Sequence, residues 1–254
     1  IGPFSRAQTI DCDESGLIDF AGLADRQDYD AIVAVNPFGL LCDMNDIVSF
    51  AKHAGKALVI DNAAGFKGFD RTEHHGTYEC LSFHHTKPYG FGEGGCLIVD
   101  RNLEDDAISA MDFGYRWNWA CGQNALSNGK LSEPAAALIL TRQRSEQDWA
   151  PQYREQFWRI ADIAERLGFR LLVERNRVGT GAYGSVPLIC KRPVEEPTLK
   201  NEKLMLQKYY KPLGSGANSH FTYKHIVNFP SHKDVEYLSD SEIEDILSMI
   251  DGQS

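Results

Sequence analysis

The sequence predicts an α/β protein, a mostly parallel sheet with helices on both faces followed by a smaller C-terminal α+β domain. Three observations carry this reading. A β-branched apolar run, an amphipathic helical pattern and a second apolar run follow one another between residues 31 and 61. Two more short apolar runs follow before residue 100. Beyond residue 130 the chain becomes rich in Ala, Leu, Gln, Glu and Arg and poor in strand-like runs. The division is expected near residue 145, giving units 1–145 and 146–254.

Gln8-Thr9-Ile10-Asp11 reads as strand-like. Ala31-Ile32-Val33-Ala34-Val35, ended by Asn36-Pro37, is a buried-strand pattern. Asp43 is placed to cap a helix with Met44, Ile47, Val48 and Ala51 on one face and Gly55 after its last turn. Ala57-Leu58-Val59-Ile60-Asp61 is the next strand, which completes a βαβ unit. Strands around 80–83 and 96–99 extend the sheet. The stretch 131–167 reads as one or two long helices, kinked or broken at Pro151, with Gly168 as the stop. A strand at Val186-Pro187-Leu188-Ile189-Cys190 and a helix near 198–210 come next. The last helix opens on a capping box, Ser239-x-x-Glu242, with Ile243, Ile246, Leu247 and Ile250 on one side.

The bulk properties exclude several classes. The chain has 254 residues, 43% hydrophobic and 24% charged, with a net charge of −10. That acidity argues against nonspecific binding to nucleic acid or an anionic membrane, both of which need a basic footprint. No apolar run approaches the roughly 20 residues that span a bilayer. Six scattered cysteines without a C-x-x-C pair suggest reduced thiols, a cytoplasmic home and no zinc site. The chain starts at Ile1 rather than Met, from which an absent N-terminal portion is expected.

Two residues stand out chemically. Asp61 closes one apolar run, and Lys87 lies just past the next, in Leu81-Ser82-Phe83-His84-His85-Thr86-Lys87-Pro88. In α/β sheets, ligands gather where strands end at their carboxyl edge. A lysine can bond the aldehyde of pyridoxal phosphate, and a carboxylate can keep the ring nitrogen protonated. Taken alone, a strand-end Asp more often serves a turn, and a lone Lys is more often a solvated charge. Ser82 offers a phosphate a hydroxyl, and the glycines of Gly92-Glu93-Gly94-Gly95 let backbone approach a ligand. Gly179-Thr180-Gly181-Ala182-Tyr183-Gly184 fits a dinucleotide pattern, but a strand-like segment follows where a helix is required. Gly214-Ser215-Gly216 is not a nucleophile elbow. Tyr115, Trp117 and Trp119 read either as a substrate-stacking loop or as a packed connection or dimer contact.

Asp61-Asn62-Ala63-Ala64-Gly65, the Lys87 segment and Gly92-Glu93-Gly94-Gly95 together resemble the DegT/StrS family of sugar aminotransferases. Asn128-Gly129-Lys130-Leu131-Ser132-Glu133 is similar to the start of the family's following helix, and Tyr209-Tyr210-Lys211-Pro212-Leu213 to its closing segment. The resemblance implies the fold-type I architecture of aspartate aminotransferase, with 1–145 as part of the large cofactor-binding domain. It implies pyridoxal 5′-phosphate as cofactor, Lys87 as the residue bonded to it and Asp61 as the pyridinium partner. Ala63 would lie against the ring, and Ser82 would bind the phosphate. Asn128 would reach the phosphate in the neighbouring subunit of a homodimer with shared active sites. His84 matches a common family histidine or simply fills the site wall; His85 would point away from it along a continuing strand and is given no role. Ala64 stands where the family usually has a Gln that contacts the ring hydroxyl. The family's early Gly-Ser/Thr phosphate loop and its ring-stacking aromatic lie upstream of this chain's start.

The implied reaction moves an amino group from glutamate to a keto sugar carried on a nucleotide. A sugar dehydratase is the alternative with the same cofactor, although such relatives typically carry His in place of the lysine. A non-catalytic binding or regulatory member is the third possibility, suggested by Ala64 and the missing phosphate loop.

Overall fold

The structure, a computed structural model, describes residues 6–24, 26, 28–67, 69, 71, 77–113 and 127–252. Tyr115, Trp117, Trp119 and Cys121 lie outside the described residues. The first sheet contains β1 (Ala31–Val35), β2 (Ala57–Asp61), β3 (Thr77–Ser82) and β4 (Gly95–Ile98), in that spatial order. The pairs β1/β2 and β2/β3 are parallel, and β4 turns back antiparallel to β3. The crossover helix α1 (Asn45–Ala54) buries Ile47, Val48 and Ala51, with Met44 buried just before it. Gly55 ends it at φ 65°, a left-handed conformation that glycine adopts without a Cβ penalty. Its start falls one residue later than the sequence suggests. Met44 takes the capping position, and Asp43 accepts from Asn45 N at 3.4 Å and from the Cys42 thiol at 3.5 Å.

A short helix α2 (Glu104–Met111) follows β4, and two long helices, α3 (Glu133–Arg144) and α4 (Glu146–Arg166), come after it. The break between them is at Ser145, not at the expected Pro151, which lies inside α4. Arg142 and Ser145 carbonyls are turned to local partners there: Trp149 Nε1 donates to the Arg142 carbonyl at 2.9 Å, and Asp148 N to that of Ser145. The second sheet is antiparallel, with β5 (Arg170–Leu171), β6 (Ser185–Ile189) and β7 (Ile226–Pro230) in order. The β6 strand begins directly after Gly184, so the glycine pattern there indeed leads into a strand.

No α-helix covers 198–210; a single 3-10 turn, Glu196–Leu199, ends as this stretch begins. The Asn201 side chain accepts from Lys203 N and Leu204 N, which bends the chain into a turn before a helix can propagate. Lys200 then bridges Met205, and Gln207 bridges Asn228. The helix is found later, as α5 (Ala217–His225). Gly216, at its capping position, has no side chain for the first N–H groups; Asp11 supplies the cap instead, accepting from Asn218 N at 2.8 Å and Ser219 N at 2.9 Å. The segment 8–11, expected as a strand, runs as a loop that delivers this carboxylate. The final helix, α6 (Asp240–Ile250), forms the expected capping box and buries Ile243, Ile246, Leu247 and Ile250.

One continuous apolar cluster joins Ile32, Ile60, Ile47 and Val48 of the first sheet and α1 to Phe157 and Ile160 of α4, Val186 and Leu188 of β6, and Leu247 of α6. Each such side chain contributes about 1.5–3 kcal/mol when fully buried. Among the described residues, no helix is long and apolar enough to cross a membrane.

Candidate active site

The carboxyl edge of the first sheet gathers the chemistry. Asp61 ends β2, level with Val35 of β1 and Cys80 of β3. Its half-buried carboxylate accepts from Ala63 N at 3.0 Å and forms no ion pair among the described residues. The turn that follows is fixed from behind by buried polar groups. Asn36 Nδ2 donates to Asn62 Oδ1 at 3.1 Å, and Asn62 Nδ2 to Glu79 Oε1 at 2.8 Å. Arg71 closes the network with two hydrogen bonds to the Glu79 carboxylate. The backbones of Gly39 and Gly65 also meet here. A Cβ on Gly39 would sit 2.3 Å from Gly65 N.

On β3, the Ser82 hydroxyl accepts from His84 N at 3.2 Å. The strand ends there, and the chain turns. Lys87 N donates to the His84 carbonyl at 2.8 Å, and Gly90 N to that of Lys87 at 2.9 Å. This changes the expectation for His85. With no strand to alternate the side chains, the His84 and His85 rings lie together, their centroids 4.0 Å apart. Lys87 is half-buried, and its amine has no hydrogen-bond or ion-pair partner among the described residues. It lines an open cleft of about 530 Å³ with His85, Thr86, Arg142, Tyr153 and His232. Asp61, Ala63, Ser82, His84 and Asn128 are not among the residues lining that cleft. Asn128 stands exposed where it bridges Asp112, beyond α2.

Several site residues carry no sequence signal of their own. Arg142 donates from Nε to the Pro88 carbonyl at 2.6 Å and lies 4.1 Å over the Trp149 ring, so its guanidinium is held at the cleft wall. Tyr89 donates to Glu146 at 3.1 Å and accepts from Ala182 N at 3.1 Å, tying the Lys87 turn to the start of α4. Burial pushes its phenol up to about 12, so it stays a donor at ordinary pH. Tyr210, at φ 59°, sets its ring edge-on to Phe38 at 4.8 Å. Burial of its hydroxyl, and next the charge of Asp61, raise its pKa. The Tyr-Tyr-Lys-Pro string marked this segment, but nothing in it told of Asp61.

A model of the DegT/DnrJ/EryC1/StrS aminotransferase family matches residues 10–244. The chain belongs to that family. It is 25% identical over 199 residues to the dTDP-4-amino-4,6-dideoxy-D-glucose transaminase of Shigella dysenteriae, covering 72% of this chain and 52% of that protein. A Mycobacterium tuberculosis protein is 40% identical over 88 residues, 33% of this chain and 21% of its own length. The chain thus spans about half, or less, of these relatives. The fold matches the crystal structure of a DegT/DnrJ/EryC1/StrS aminotransferase from Brucella abortus with a TM-score of 0.72 at 20% identity, over 96% of this chain and 72% of that one. The family's fold-type I architecture is therefore the fold of this chain, and its parallel strands β1 to β3 put Asp61 and the Lys87 turn on one edge.

Proposed function

We propose that this chain carries the lysine and the ring-nitrogen carboxylate of a pyridoxal phosphate-dependent aminotransferase that moves the amino group of glutamate onto a nucleotide-linked keto sugar. The observation that supports it most is the pair itself. A Lys87 amine without a partner and an Asp61 carboxylate without an ion pair, among the described residues, stand at and past the carboxyl ends of two adjacent parallel strands. These groups suit the cofactor. The carboxylate keeps acceptor capacity beyond the one Ala63 N–H, which suits a ring N–H donor. The Ser82 hydroxyl accepts one bond and keeps its own proton to donate to a phosphate oxygen. Ala63 offers a small methyl to a ring face, and His84 and Asn128 are assigned to the cofactor's surroundings, Asn128 across a homodimer interface. Ala64 brings no side-chain donor for the ring hydroxyl.

When bound, pyridoxal phosphate supplies an electron sink for the bonds at the donor's α-carbon. The chain's residues do the rest. Lys87 would hold the cofactor, and its freed amine would take the donor's α-carbon proton as general base and deliver it to the cofactor's C4′ as general acid. Asp61 would keep the ring nitrogen protonated. The same residue roles, run in reverse, would serve delivery of the amino group to the sugar. The reading makes the protein a cytoplasmic homodimer with shared active sites. The test is to reconstitute the full-length protein with pyridoxal phosphate, add glutamate, and then add a nucleotide-linked keto sugar. Loss of the cofactor's visible absorbance with release of 2-oxoglutarate is expected. An unchanged spectrum overturns the proposal, and a sugar product that loses water but gains no nitrogen points to dehydration instead.

A further inference from the structure

The hairpin between β3 and β4 holds a second set of ligands that the scattered cysteines do not suggest. His84, His85 and Glu93 each offer one donor atom, and these atoms all lie within 4.8 Å of one another. His84 Nε2 is 3.2 Å from Glu93 Oε1, close to the edge of a tetrahedron built on metal–ligand bonds of about 2.0–2.1 Å. The other ring nitrogen of His84, Nδ1, lies 2.8 Å from the Thr86 hydroxyl and accepts from Thr86 N at 3.3 Å, contacts that fix the ring's orientation. The backbone preorganises the set: Phe83 N donates to the Gly94 carbonyl at 2.9 Å and His85 N to that of Gly92 at 2.7 Å, so both histidines face Glu93 across a fixed hairpin.

We propose that His84, His85 and Glu93 form a binding site for a divalent transition ion of the zinc type. Two imidazoles and one carboxylate suit such an ion, whereas calcium and magnesium prefer sets made only of oxygen. Glu93 is 79% exposed, so the site is open and leaves a coordination position for water or an anionic group. Because His85 also lines the Lys87 cleft, the ion would sit at the rim of that cleft.

The test is a calorimetric titration of the full, chelator-treated chain with Zn²⁺, with its cysteines alkylated, followed by Co²⁺ absorption as a coordination probe. One saturable equivalent and visible Co²⁺ bands typical of nitrogen and oxygen ligands are expected. His85→Ala and Glu93→Gln should each weaken binding by roughly tenfold or more, whereas His53→Ala, on an exposed face of α1, should leave it unchanged. Both altered side chains are exposed, so the variants should keep the parent's thermal transition. Absence of saturable binding, or an affinity indifferent to both substitutions, overturns the proposal.

Discussion

Asn62 hands a hydrogen bond to Glu79 at 2.8 Å directly behind the strand end that bears Asp61. The contact makes the register of β2 on β3 and the direction of the Asp61 turn parts of one arrangement. Glu79 is nearly sealed from water, and only Asn62 and Arg71 satisfy its oxygens among the described residues. Glu79→Leu leaves both partners unanswered. The expected loss is about 3 kcal/mol, at the lower end for a broken buried pair because the Arg71 side chain is 32% exposed. Urea denaturation should show a lower midpoint with an unchanged slope.

Gly39 is the other constraint on that turn. At φ 70° it occupies a conformation that disfavours side chains, and an added Cβ would strike the backbone of Ala64 and Gly65. Gly39→Ala should cost about 1–3 kcal/mol and, by pushing on the Asp61 turn, weaken cofactor retention. Thermal denaturation and equilibrium dialysis of pyridoxal phosphate would separate the two effects. Wild-type behaviour in both would show that the turn yields easily.

Lys87→Ala tests the proposed chemistry with little risk to the fold, since the amine has no partner to lose among the described residues. Stability should stay within about 0.5 kcal/mol, while transamination falls roughly 10²–10⁴-fold. Stopped-flow assays with glutamate, beside circular dichroism, would check both halves.

Acid should loosen the last helix through Glu242. The Lys203 ammonium first, then the Ser239 N–H and hydroxyl, hold its carboxyl down from 4.5 to about 2. A carboxyl depressed on folding adds stability that is complete above its unfolded value. That stability is lost as pH falls from about 4.5 towards 2. Glu242→Gln should flatten this limb of the stability profile, read from urea midpoints at stepped pH.

What could be read from the sequence follows from the range of the forces involved. β1 and β2 were legible to the residue because a buried parallel strand is one unbroken β-branched run. The capping box of α6 was legible because its partners are three residues apart. The turn at Asn201 was not, since a single side-chain amide, accepting from Lys203 N and Leu204 N, reverses the chain there. The placing of His85 beside His84 was not legible, because alternation holds only while a strand continues and β3 ends at Ser82. Arg142 had no local signature at all: its partner carbonyl at Pro88 is 54 positions away.

Asp11 seats the start of α5 from 207 positions upstream. A clasp of that span means early and late portions of the polypeptide must both be made before either is secured. Proteolytic nicking near residue 11 should therefore be felt first at Asn218 and Ser219, long before the central strands respond.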